Sequence, residues 1–239
     1  MSGAGTISIR GATLQTDRFV GAVGCKSSSC HGGAGDKRSQ YLTWVQQDFH
    51  SRAYAVLVDA RSTRMAESLS LPSAQTSARC TVCHSPLQAV APARLTNTAQ
   101  ADEGVSCESC HGAAESWLRG HTRKDWSDAT RVAAGMRDLR SFYVRANSCV
   151  SCHQHLDPDL LAAGHPELIF ELDGQSVAEP KHWRDDPLSG PRAWLVGQAV
   201  ALREVSWALS KMETPNLGEV ARWDGLVWLL AKATAQSLP

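Results

Sequence analysis

Gly104-Val-Ser-Cys107-Glu-Ser-Cys110-His111-Gly112 contains two thiols two residues apart, and an imidazole follows the second at once. Two other stretches repeat this, Cys80-Thr-Val-Cys83-His84 and Cys149-Val-Ser-Cys152-His153, and a fourth stretches it, Cys25-Lys-Ser-Ser-Ser-Cys30-His31. These four runs use all 8 cysteines of the chain. Cys-x-x-Cys-His is the attachment signature of c-type haem: the thiols add to the haem vinyl groups and the histidine binds iron. With 9 His in 239 residues, a histidine in that place four times by chance has odds on the order of one in half a million. Zinc ribbons use Cys-x-x-Cys without needing the histidine, and a disulfide framework predicts scattered single cysteines rather than tight pairs. The pattern therefore predicts four c-type haems (haem c, iron), held by Cys25, Cys30, Cys80, Cys83, Cys107, Cys110, Cys149 and Cys152, with His31, His84, His111 and His153 as proximal ligands.

The first run departs from the rule, with four residues between its cysteines. The two extra residues can bulge while both thioethers keep their places. The alternative is single attachment through Cys30.

Composition agrees with a cofactor-built interior. The chain is 43% hydrophobic but has only 4 Phe and 3 Tyr, partly offset by 8 Trp. That is a thin supply of large apolar side chains for 239 residues, and four porphyrins would make up the missing volume. The apoprotein is then expected to be largely unfolded, like other cofactor-nucleated domains. The formal charge of the polypeptide is +0. Ionised propionates and the iron centres move it to about −4 oxidised and about −8 reduced, which argues against a nucleic-acid partner.

Met1 to Ile9 lacks the charged segment and apolar run of a signal peptide. Covalent haem attachment takes place outside the cytoplasm, so the expectation is an exported protein, periplasmic or extracellular, whose export signal is absent from this chain. The longest apolar run near the C-terminus, Leu226 to Ala231, is far too short to span a bilayer.

The expected fold is mainly α and loop-rich, a multihaem cytochrome wrapped around four haems, with a C-terminal helical hairpin. Residues 1–175 form the haem domain, and residues 176–239 a helical segment packed on it. Ser39 to Leu57 reads as a helix with Leu42, Val45 and Phe49 on one face and His50 near its middle. Residues 70–105 read as loop, broken by Pro72, Pro86 and Pro92. Short helices are expected to begin inside each haem run, and another near Val132–Leu139. Pro191–Met212 and Leu217–Leu238 read as amphipathic helices around Thr214-Pro215-Asn216, the first with a stripe of Leu195, Leu202, Val205, Leu209 and Met212. The hairpin either packs as a lid or uses Trp194, Trp207, Trp223 and Trp228 to form a partner or homo-oligomer surface.

Five histidines remain for four distal places: His50, His121, His155, His165 and His182. His121 sits among Arg119, Arg123 and Lys124, whose charges suit propionates. Gly164 and Pro166 fix the backbone around His165. His182 is open between ligand and structural roles, and His155 between ligand, propionate partner and solvent. Met65, Met136 and Met212 read as packing residues. Either all four haems are bis-histidine, or one is five-coordinate with an open face.

The run from Gly104 to Gly112, the basic segment bearing His121, the stretch Trp44 to Leu57 bearing His50 and the order of the four haem motifs resemble the tetrahaem cytochrome c-554 family, which carries electrons from hydroxylamine oxidation. The resemblance covers roughly residues 18–170. It implies that His121 ligates the first haem, His50 the fourth and His165 the third, leaving the second, on His84, five-coordinate. Ala163-Gly-His165-Pro, Lys181-His182-Trp183 and Arg192-Ala-Trp-Leu-Val-Gly-Gln are similar instead to segments of larger periplasmic multihaem cytochromes. In that case His182 is a ligand, and His182 or His155 closes the second haem. The function implied is relay of electrons between redox partner proteins. Two alternatives stay open: an enzyme acting on a small nitrogen or oxygen compound at one open haem, and a subunit of a haem-stacked filament.

Overall fold

The computed structural model describes residues 17–35, 37–183 and 189–235. The segment Met1 to Ile9, and the end of the second C-terminal helix expected to run to Leu238, lie outside the described residues. The architecture is helical. Among the described residues ten α-helices follow in order: α1 (Gln40–Gln47), α2 (Ala60–Ser68), α3 (Ala78–His84), α4 (Cys107–His111), α5 (Asp128–Ala133), α6 (Phe142–His153), α7 (Pro158–Ala162), α8 (Leu172–Ala178), α9 (Ser189–Leu209) and α10 (Leu217–Thr234). Among the described residues the extended chain pairs only at an isolated parallel bridge, Phe19 to Leu95.

Local chemistry sets the helix limits. Asp59, Ser127, Ser141, Asp157 and Asn216 each turn a side-chain oxygen onto a free N–H at the start of α2, α5, α6, α7 and α10, as N-caps do. The helix expected near Val132–Leu139 lies earlier, because the Ser127-Asp128 cap starts it and Gly135, at φ 90°, ends it. The single helix expected from Ser39 to Leu57 is broken at Asp48. There ψ swings to 126° and the carboxylate accepts the His50 backbone N–H at 2.9 Å. His50 consequently sits on a 3-10 turn, Phe49–Arg52, and Phe49 is 80% exposed rather than part of an apolar face.

The haem runs are not alike. Cys80–His84 and Cys149–His153 close α3 and α6, and Cys107–His111 is the whole of α4. The first run lies in turns: Cys30 N–H donates to Ser27 O and His31 N–H to Cys25 O, so the extra residues form a compact bulge.

The largest buried apolar cluster is C-terminal. It joins Ala146 and Val150 of α6, Phe170, Leu172 of α8, Ala193, Val200, Ala201 and Val205 of α9, and Leu226 of α10. Gly197 makes the α8–α9 approach close, since a Cβ there would stand 2.8 Å from that of Leu172. Gln154 Nε2 donates to Ala201 O, and Arg203 bonds Tyr143 and Asn147, so α9 is also tied to the fourth haem run. The expected stripe on α9 is shifted: Leu202 and Leu209 lie at the cluster's edge, whereas Leu195 is exposed. Trp223 packs beside it and donates to Ser206 Oγ, while Trp207 and Trp228 face outward.

The remaining buried clusters are small: Val20, Ala114 and Trp117, and Leu57, Ala66 and Ala74. What binds the N-terminal segment to the third haem run is polar. Glu108, only 1% exposed, accepts from the backbone N–H groups of Val20, Gly21 and Ala114 at 3.0, 2.7 and 2.6 Å. Burial pushes its carboxyl up, and the three N–H bonds pull it partly back. Glu103 adds a bond to Ala22 N–H at 2.9 Å. Glu108→Ala leaves three buried donors without an acceptor. It is expected to destabilise the haem-loaded protein by about 2–4 kcal/mol, read as a lower urea midpoint; an unchanged midpoint would show that Glu108 does not hold this junction.

Candidate functional site

Six histidine rings meet in three pairs, each joining a histidine of a haem run to one from elsewhere. His31 and His121 have ring centroids 6.0 Å apart with planes at 17°. His153 and His50 stand 6.1 Å apart at 89°, and His84 and His165 6.2 Å apart at 70°. An imidazole nitrogen binds a metal at about 2 Å, so two rings on opposite sides of one iron have centroids about 6 Å apart. The spacing fits an iron between each pair.

The fourth haem-run histidine, His111, is held by burial. Burial lowers its pKa to about 4, and the charge of nearby His182 is the next cause, followed by that of His31. Burial likewise lowers His84 and His153. All three are therefore neutral at pH 7, the form that ligates a metal. The Nδ1 of His111 is buried without a hydrogen-bond partner.

The ring nitrogens are sorted. Nδ1 of His31 meets Gln40 Oε1 at 2.9 Å, that of His84 meets Ala53 O at 2.9 Å, and that of His121 meets Trp117 O at 3.3 Å. Nδ1 of His165 meets Pro166 O at 2.8 Å, and that of His182 meets Pro180 O at 3.4 Å. Nδ1 of His50 meets Asp48 Oδ1 at 3.0 Å. An acceptor on Nδ1 fixes the tautomer with its lone pair on Nε2 and orients the ring, as the outer partner of a metal-bound histidine does. His155 is the exception: its Nε2 faces Glu204 Oε2 at 3.8 Å and its ring lies against Trp207.

Where the resemblance assigned His165 to the third haem and left the second open, the structure brings His165 to His84. The cause is a set of long-range polar ties. Arg79, beside Cys80, pairs with Asp157 and Asp159, and Arg61 of α2 donates to Gly164 O. These draw the loop after α7 onto the second haem run.

The cysteines adjoin across runs. Cys25 and Cys107 lie near enough to shift each other's ionisation, as do Cys83 and Cys152. Cys149 lies near enough to Cys110 to influence it by charge. Val82, between Cys80 and Cys83, and Phe49, beside His50, are exposed apolar side chains next to the ring pairs.

Residues that sequence reasoning missed are Asp48, Gln40, Glu103, Glu108 and Glu179. Asp48 is buried, and its Oδ1, a nitrogen of His50 and a Glu179 oxygen lie within 4.8 Å of one another. Burial works to raise the Asp48 carboxyl, but its bonds to the side chain and backbone of His50 prevail and hold it below the usual carboxylate range. Position after a helix end, followed by a turn, was the available signal for Asp48. Glu108 read as a mere spacer between cysteines.

Residues 24–112 match the family model for cytochrome c554 and c-prime. The match takes in the first three haem runs; the fourth lies beyond it. No curated protein and no solved structure matches the chain. The family implies c-type haem, electron transport and redox partners. No helix among the described residues is long and apolar enough to cross a membrane.

The turn bearing His50 is strapped to the third haem run at Gly104. This residue has φ 75°, and a Cβ there would lie 2.7 Å from His50 O, which also accepts the Val105 N–H. Gly104→Ala is therefore expected to cost about 1–3 kcal/mol and to shift the visible spectrum of the haem nearest His50. A variant with wild-type stability and spectrum would show that the strap does not position that turn.

Proposed function

We propose that this chain is a tetrahaem electron relay whose four c-type haems are all bis-histidine. The His31–His121, His153–His50 and His84–His165 pairs hold the first, fourth and second haems, and His182, near enough to act on His111 by charge, is assigned to the third. The observation that carries this reading is the three ring pairs at 6.0–6.2 Å. When bound, haem supplies a one-electron couple whose potential depends on ligands, burial and nearby hydrogen bonds.

The residues' part is to fix those terms. Nδ1 acceptors aim the Nε2 of His31, His50, His84, His121, His165 and His182, and burial keeps His84, His111 and His153 neutral. Exposed Val82 and Phe49 offer apolar cover for porphyrin edges. Because each cysteine pins a porphyrin edge, the nearness of Cys25 to Cys107, Cys110 to Cys149, and Cys83 to Cys152 supports a haem order of first, third, fourth, second. Electrons would enter at one end of that row and leave at the other, between soluble partners in the periplasm or outside the cell. His165 beside His84 weighs against an open second haem, and with it against small-molecule chemistry there. Residues 176–239 are read as a helical segment packed on the haem domain, its hairpin acting as the lid over the fourth haem run.

The intact mass of the holoprotein should give four haems. The electron paramagnetic resonance spectrum of the fully oxidised protein should contain low-spin signals alone. The near-parallel rings of His31 and His121 should yield a rhombic signal, and the near-perpendicular rings of His50 and His153 a signal of large anisotropy. A high-spin signal near one iron equivalent would defeat the bis-histidine reading.

His165→Ala should create a single carbon-monoxide-binding iron in a reduced protein that otherwise binds none. Carbon monoxide binding by the unmodified protein would place an open face where the reading has a ligand.

A further inference from the structure

We propose that the buried Asp48 carboxylate, hydrogen-bonded to Nδ1 of His50, makes the haem held by His153 and His50 the lowest in potential of the four. This rests on the proposed assignment of His50 and His153 to one iron.

Of the six Nδ1 bonds described above, five end on a neutral amide or carbonyl oxygen: Gln40, Ala53, Trp117, Pro166 and Pro180. The sixth ends on a carboxylate, Asp48, at 3.0 Å. A carboxylate on the outer nitrogen of a ligating imidazole draws its proton outward and raises the basicity of Nε2. A more basic ligand stabilises ferric over ferrous iron, which lowers the potential. Burial strengthens the effect, since Asp48 is 5% exposed and little water screens it.

The neighbouring charges include one of the same sign and others that oppose it. Glu179 lies within 4.8 Å of the same pair and adds a second acidic group, while Arg145 and His182 lie close enough to Glu179 to offset it. Arg52 stacks on Phe49 at the exposed edge of the turn. Asp48 is thus the charge that reaches the ligand directly, and it acts as a positioning and tuning residue. It fixes the ring through one oxygen that serves both the side chain and the backbone N–H of His50.

The test is a spectroelectrochemical titration of the four-haem holoprotein at fixed pH, with haem count and electron paramagnetic resonance alongside. In Asp48→Asn the hydrogen bond keeps an acceptor but loses its charge. The lowest of the four steps should rise while the other three stay, and the anisotropic signal should change. Asp48→Glu, which keeps the charge, should return that step toward its original place. An unmoved lowest step in D48N, or an equal rise in D48N and D48E, overturns the inference.

If D48N fails to load four haems, His50→Met reads the same point independently. Methionine in place of histidine raises the potential of whichever haem it ligates, so the step that rises in H50M should be the lowest one of the unmodified protein. A rise in a different step overturns the tuning role alone. Four unmoved steps in H50M would instead remove His50 as a ligand, and the assignment beneath the inference with it.

Discussion

An imidazole ring that is to offer Nε2 to a metal is best oriented by a grip on its other nitrogen, and for six of the nine histidines this chain supplies that grip. The acceptors for His84, His121, His165 and His182 are main-chain carbonyls, placed by a turn or loop near each ring. Those for His31 and His50 are side chains, Gln40 at the start of α1 and Asp48 just past its end. Helix α1 thus carries the Nδ1 partners of two different ring pairs, one at each end. Any movement of that helix is felt at both. The paired rings come from far apart in the chain, as with His31 and His121 or His50 and His153, so pairing also closes long loops whose entropy must be offset elsewhere.

The polypeptide's own core offsets little of it outside the C-terminal third. The buried apolar clusters around Leu57 and around Trp117 hold few residues, whereas the α6–α8–α9–α10 cluster is contiguous. The N-terminal region leans instead on buried polar contacts, above all the Glu108 carboxylate that gathers three N–H groups. Such a contact is specific in direction but poor in net free energy, because the charge must first be taken out of water. A region built this way has room for a large apolar group to complete it, and bound haem would offer one to exposed Val82 and Phe49.

The haem runs were legible because covalent chemistry fixes residue type and spacing at once. The distal histidines were legible as a set, because iron needs ligands and few histidines were left over. The resemblance placed His121 with His31 and His50 with His153, as the rings meet, but it placed His165 with the wrong run. His165 reaches His84 through Arg79, Asp157, Asp159 and Arg61, charges scattered over some hundred residues, and no local pattern records that they meet. The break at Asp48 was readable in principle, since Asp before a turn is a capping residue. It was masked by an apolar rhythm that the structure leaves partly in solvent, with Val45 and Phe49 both exposed. The shift of α5 has the same character: the Ser127 cap and the Gly135 stop outweighed the apolar spacing.

The position of the charged pair matters to the relay as well as to one iron. In the proposed order, the haem assigned to His153 and His50 would lie inside the row, between the third and the second. A low potential at an inner site makes it a step that electrons pass through rather than rest upon. Charge then collects on either side of it, near the two ends where partners must dock. The same burial that makes Asp48 costly for the fold also spares its field from solvent, so one desolvated carboxylate can both hold a ring and set two haems of the proposed row apart from the one beyond it. Helix α9 is tied to α6, which carries His153, through Gln154, Tyr143 and Asn147. The largest buried apolar cluster of the molecule therefore backs the proposed inner step.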